Sequence, residues 1–148
     1  MPRIWKILAI DDDQSILTVL SMTLQEAGYE VATAVSGSET VSRVNEFEPD
    51  LILLDLKFPP CPENHQSTLE DGFLIIAWLR GMSRAAKTPI IVISGANPEE
   101  YRDHALASGV VATFKKPFDT TRLLEVIRST LDNGGQPSKQ PAESQPCW

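Results

Sequence analysis

Cysteine is nearly absent: Cys61 lies in a proline-rich stretch and Cys147 next to the last residue. Two such positions build no disulfide framework, and a reducing, cytoplasmic setting is expected. Cationic side chains are also scarce. Lys and Arg number 13 against 20 Asp and Glu, a net charge of −7, and the one basic cluster is Lys115 with Lys116. A nucleic-acid surface, which draws on clustered cations to meet phosphates, is therefore not expected. No apolar run approaches the ~18 residues of a membrane span. The opening MPRIWKILAIDDD also lacks the apolar core and cleavage site of a signal peptide. Neither membrane insertion nor secretion is expected.

What is present fits one domain, since 148 residues stand close to the rough figure of ~150 per domain and can bury a real core. Apolar runs of strand length recur at 5–10, 30–34, 51–54, 89–93 and 110–114, each bounded by turn residues. Helical spacing fills the intervals. Ile16, Leu20, Leu24 and Ala27 share one helical face, with Gly28 as the residue just past the end. A second helix over 38–47 stops before Pro49, whose ring disfavours helical geometry at Glu48. Asn97 before Pro98 reads as a cap opening a polar helix through Glu99, Glu100, Tyr101 and Leu106. Asp119 caps the last helix, whose buried face is Leu123, Leu124, Ile127 and Leu131.

Strand and helix thus alternate five times. Continuous apolar strands such as LILL and IIVI imply burial on both faces by crossover helices, so the expected fold is a doubly wound parallel α/β sheet, (βα)5, over residues 1–132. Residues 133–148 are rich in Gly, Pro, Ser and Gln and are expected to form a disordered polar tail. With no output segment after residue 132, a stand-alone unit is expected.

Ligands of open parallel sheets bind outside the carboxyl ends of the strands. The polar residues there are Asp11, Asp12 and Asp13 after the first strand, Asp55 after the third, Ser94 and Gly95 after the fourth, and Lys115, Lys116 and Pro117 after the fifth. Singly, each reads as an ordinary cap or turn residue. Jointly, carboxylates, a hydroxyl and an ammonium converge on one edge. Adjacent carboxylates at the rim of a core need a counter-charge, and clustered oxygen ligands suit Mg²⁺, or Mn²⁺, while leaving room for a phosphoryl group. An Asp so placed can be a nucleophile toward a phosphorylated donor. Asp13 precedes the first helix and reads as its N-cap.

With ILAIDDDQSI, TAVSGSETV, PDLILLDLKFP, DGFLIIAWLR, TPIIVISG, ASGVVATFKKPF and LLEVIRSTL, the chain resembles the receiver domain of two-component response regulators over about residues 4–132. The resemblance implies a five-stranded flavodoxin-like sheet in the order 2-1-3-4-5. It implies Asp55 as the phosphoacceptor, Asp11 and Asp12 as the acidic pair holding Mg²⁺ (Asp12 directly, Asp11 through water), and the backbone carbonyl of Lys57 as a further ligand. Ser94 and Lys116 would meet the phosphoryl group, and Lys116–Pro117 would be cis. The implied partners are a sensor histidine kinase or histidine phosphotransfer protein and a downstream protein or second copy, engaged through the fourth helix, fifth strand and fifth helix.

Departures from that family shape further expectations. Thr113 stands where receivers usually carry Tyr or Phe, which puts the usual aromatic switch in question. Lys57 sets an ammonium beside the nucleophile and is expected to alter the lifetime of the aspartyl phosphate. The link at 59–70 is expanded, with Pro59, Pro60 and Pro62; Cys61, Glu63, His65 and Glu70 lack the paired spacing of a zinc site, so a docking loop is the better reading. The third helix, FLIIAWL, is apolar all round, and Leu74 and Trp78 either pack under that loop or form an interface. Two rival functions stand beside the receiver. A haloacid-dehalogenase-type phosphatase would use Asp11 as nucleophile and needs an acidic pair after the Lys, which nothing downstream of Lys116 supplies. A receiver indifferent to phosphorylation would commonly have lost part of the set that is complete here. The expected protein is no enzyme beyond catalysing its own phosphorylation and dephosphorylation.

Overall fold

The computed structural model describes residues 4–56, 69–83, 85–95, 97, 99 and 101–132, and the backbone alone at 69–72. In chain order the elements are β1 Lys6–Ile10, α1 Gln14–Glu26, β2 Glu30–Ala34, α2 Gly37–Phe47, β3 Leu51–Leu54, α3 Leu69–Gly81, β4 Ile90–Ser94, α4 Arg102–Ala107, β5 Val110–Lys115 and α5 Thr120–Asp132. The strands form one parallel sheet in the order β2-β1-β3-β4-β5. This is the doubly wound, flavodoxin-like topology.

The pleat explains why the central strands read as unbroken apolar runs. Successive side chains point to opposite faces, and here both faces are covered. Leu8, Ile10, Ile52, Leu54, Ile90 and Val92 meet Val44 of α2, Ile75, Ile76 and Leu79 of α3 and Ala105 of α4. Ile7, Ala9, Leu51, Leu53, Ile91 and Ile93 meet Leu17, Leu20 and Leu24 of α1 and Leu123, Ile127 and Leu131 of α5. A bulge between Ile90 and Ile91 shifts the β4–β5 register, so that Ile90 faces Val110 and Ile91 faces Ala112.

Local signals act as their chemistry dictates. Asp13 Oδ1 accepts the Ser15 N–H at 2.9 Å and caps α1, and Gly28 takes φ +101 beyond its end. Ser36 Oγ accepts the Glu39 N–H at 3.2 Å at the start of α2, while the Glu39 carboxylate accepts the Val35 N–H at 3.2 Å. That is a capping box shifted by one residue at its return bond. Glu48, ahead of Pro49, leaves the helical region for φ 51.

Several boundaries differ from expectation. The buried stripe of α1 is centred on Leu17, with Ile16 half-buried and Ala27 exposed as the C-cap. β4 runs to Ser94, and α3 begins at Leu69, inside the span read as loop. The largest difference is α4. The α-helix begins at Arg102, with Glu99 in a 3-10 helical turn ahead of it; Leu106 is 54% exposed and Tyr101 is 2% exposed, so the aromatic faces inward where a polar helix was expected. Asn97 does not cap it; its Oδ1 accepts a hydrogen bond from Lys115 Nζ at 2.7 Å. On α3, Leu74 and Trp78 are 43% and 40% exposed among the described residues, while Phe73 stacks on His104 of α4 with centroids 3.8 Å apart.

Candidate functional site

The ends of β1, β3, β4 and β5 meet at one edge of the sheet. Ladder bonds carry past the strands to set that edge: the Asp55 N–H donates to Ile10 O at 3.0 Å, and the Lys116 N–H donates to Ser94 O at 2.8 Å. Asp55 is thereby fixed beside the Asp11 turn, and Lys116 beside Ser94. Asp11 is 3% exposed, Asp55 6% and Ser94 fully buried. Asp11 Oδ1 accepts the Asp13 N–H at 2.9 Å, which orients the carboxylate and leaves Oδ2 facing the site.

Lys116 Nζ lies 2.7 Å from Asp11 Oδ2 and 3.2 Å from Asp55 Oδ2, joining the two buried carboxylates. Burial alone would lower the affinity of this ammonium for its proton. The hydrogen bonds and charges of Asp11 and Asp55 outweigh that, and the net shift is upward. Asp12 completes the acidic group from an exposed position: one oxygen from each of Asp11, Asp12 and Asp55 falls within 4.8 Å of the others. Desolvation first, and the Asp11 hydrogen bond and charge second, raise the Asp12 pKa. One ammonium thus faces three carboxylates, and the excess negative charge is concentrated on oxygen ligands. That donor set fits a hard divalent cation.

The sequence-level candidates are mostly brought together. Asp11, Asp12, Asp55, Ser94 and Lys116 share the edge, and the Lys116–Pro117 peptide bond is cis. Lys57 lies outside the described residues, as do Cys61, Glu63 and His65. Lys115 turns away toward Asn97. Thr113 is 1% exposed and pairs across the ladder with Val92, one turn of the pleat behind the edge. Sequence reasoning missed Tyr101. Its only signal was an aromatic four residues before Ala105, the one other residue by which α4 reaches the core.

Comparison with known proteins agrees with this geometry. Residues 7–128 match the response regulator receiver domain family. The chain is 34% identical over 131 residues to the DNA-binding dual master transcriptional regulator RpaA of Synechocystis, covering 88% of this chain and 49% of that protein. It is 30% identical over 139 residues to the transcriptional regulatory protein PrrA of Mycobacterium tuberculosis, covering 94% and 55%. The chain therefore spans about half the length of these curated relatives. Among solved structures, chemotaxis protein CheY4 of Vibrio cholerae superposes with a TM-score of 0.74 at 31% identity, covering 86% of this chain and 98% of that one. A CheY-like receiver domain protein of Methanospirillum hungatei gives 0.76 at 26% identity, covering 89% and 97%. With the family matched over most of its length and the acidic edge in place, the chain belongs to the receiver domains of two-component response regulators.

Proposed function

We propose that Asp55 accepts a phosphoryl group from a phosphohistidine on a sensor kinase or phosphotransfer protein. The observation that supports this most is the Lys116 ammonium set between Asp11 and Asp55 at 2.7 and 3.2 Å. In the transfer, an Asp55 carboxylate oxygen attacks phosphorus, the P–O bond forms as the P–N bond breaks, and the electron pair returns to the donor imidazole. Lys116 neutralises charge on the transferred oxygens, and the Ser94 hydroxyl donates to one of them. Asp11, Asp12 and Asp55 would hold Mg²⁺ or Mn²⁺, with the Lys57 carbonyl as a ligand by family resemblance. Bound there, the cation supplies charge neutralisation to the phosphoryl oxygens. Phosphorylation then alters contacts with a downstream protein or a second copy through α4, β5 and α5. The net charge of −7 favours protein over nucleic acid as the partner of this segment.

Beryllofluoride, a phosphoryl mimic, gives the test. With Mg²⁺, ¹⁹F NMR should show a bound species in the wild-type protein and none in Asp55→Asn. A bound species that survives in Asp55→Asn, or steady hydrolysis of a phosphate monoester, would overturn the assignment in favour of a phosphatase with Asp11 as nucleophile.

The acidic edge also predicts a cation response. A carboxyl whose folded pKa is raised binds its proton more tightly in the folded state, so Asp12 lowers stability as pH rises from 3.8 through its folded value. Without a cation that cost grows as pH rises toward and through the folded value. Mg²⁺ should raise Tm, by the equivalent of about 2.7 kcal/mol at a hundredfold excess over Kd. Asp12→Asn should raise the Tm of the chelated protein and remove most of the Mg²⁺ response. Thermal scans with and without chelator check both; an unchanged Tm on chelation contradicts the reading of the cluster.

A further inference from the structure

Among the described residues, two buried hydroxyls beside the site have no hydrogen-bond partner: the phenol of Tyr101 and Oγ1 of Thr113. Their residues are 2% and 1% exposed. They lie near one another, and the Asp55 charge acts on the phenol. Burial holds the Tyr101 pKa at about 12, Asp55 pushes it the same way, and the Thr113 hydroxyl opposes the shift. The phenol is thus a protonated donor within the field of the Asp55 carboxylate, with no hydrogen bond of good geometry among the described residues. Buried polar groups without partners are rare, and each costs stability in the state that leaves it so.

Tyr101 is also the N-cap residue of α4, with φ −140 and ψ −6, and its side chain makes no capping bond. The helix it begins has six residues, Arg102–Ala107. Helices shorter than about 12 residues are marginal by themselves and depend on packing. Here Ala105 is the only fully buried residue within α4, so Tyr101 and Ala105, at i and i+4, are its anchors in the core.

We propose that Tyr101, with Thr113, is the element that reads the phosphorylation state of Asp55 and conveys it to α4. A phosphoryl group adds up to one further negative charge and new acceptor oxygens at Asp55. That gives the unpartnered donors something to bind in one state and not in the other, which is the differential interaction any switch requires. A shift of the Tyr101 side chain then moves the first residue of α4 directly. The aromatic reporter comes from the helix, and β5 contributes only the short hydroxyl of Thr113. This inference rests on Asp55 being the phosphoacceptor.

The test separates the two. Beryllofluoride and Mg²⁺ are added to wild type, Tyr101→Phe and Thr113→Val, with adduct formation followed by ¹⁹F NMR and the amides of residues 102–107 by ¹H–¹⁵N correlation spectra. Both substitutions keep shape and remove one hydroxyl. The expected result is an adduct in all three proteins, with the α4 amide shifts cut by about half or more in each variant. Full wild-type shifts in Tyr101→Phe would overturn the role of Tyr101 while leaving Asp55 intact. Failure of the adduct in the wild type would overturn the Asp55 reading and this inference with it.

Discussion

Lys116→Met is expected to lower the free energy of unfolding by about 3 kcal/mol at neutral pH without a divalent cation, because it strips the counter-charge from two buried carboxylates. The side chains of Asp11 and Asp55 are 5% and 8% exposed, against 20% for Lys116. Without the ammonium, either two desolvated charges remain side by side or one takes up a proton. The deficit should therefore shrink in acid, where the carboxylates protonate, and shrink again when Mg²⁺ is added. The wild-type contribution has the opposite limit. Since the folded pKa of Lys116 is raised, its stabilisation is full below 10.5 and is lost as pH rises through the folded value. Phosphoryl transfer to Asp55 should fall about a hundredfold in the variant, the effect of removing one preorganised donor from a charged transition state. Urea unfolding across pH and transfer kinetics with a small phosphodonor check both. A variant as stable as wild type in chelator would show that Lys116 is not the compensating charge.

Arg80→Ala should have a comparable effect on stability with no residue of the site touched. The guanidinium, in the last turn of α3, donates from Nη1 to Thr88 O at 2.7 Å and Ala85 O at 3.1 Å, and from Nη2 to Gly109 O at 3.2 Å. Longer contacts reach Ala86 O at 3.4 Å and Ser108 O at 3.5 Å. One side chain thus ties the turn before β4 to the turn before β5. The second turn holds Gly109 at φ +85, and the guanidinium fills the space beside it. Hydrogen bonds to a charged group contribute about 1.5–3 kcal/mol each, and the three short ones share one donor group and are not additive. We expect a loss of about 3 kcal/mol by urea denaturation, with Arg80→Lys recovering little because an ammonium cannot span the three carbonyls. A loss below about 1 kcal/mol would mean that the turns hold without it.

The central strands and the acidic edge were legible in the sequence for the same reason. In a doubly wound sheet the buried runs are apolar on both faces, so LILL and IIVI stand out, and the first polar residue after each run marks the functional edge. Asp11, Asp55 and Ser94 follow from that rule; after β5 it points to Lys115, which turns toward Asn97, and the role of Lys116 came from the family resemblance instead. α4 does not. Its six residues present almost no apolar period, and the polar run before it reads as a capped helix, yet the aromatic in that run packs into the core. Propensity lost to tertiary burial at Tyr101, and at the exposed Asn97 to a hydrogen bond from Lys115. Arg80 was invisible for a different reason: its carbonyl partners lie five to 29 residues away and carry no side-chain signature.

The most direct measurement is to map the phosphoryl group. The protein is incubated with Mg²⁺ and phosphoramidate, any acyl phosphate is reduced with borohydride, and the modified residue is located by peptide mass spectrometry. The account predicts modification at Asp55 alone, abolished by chelation. Modification at Asp11 or Asp12, or none at any aspartate, would contradict it.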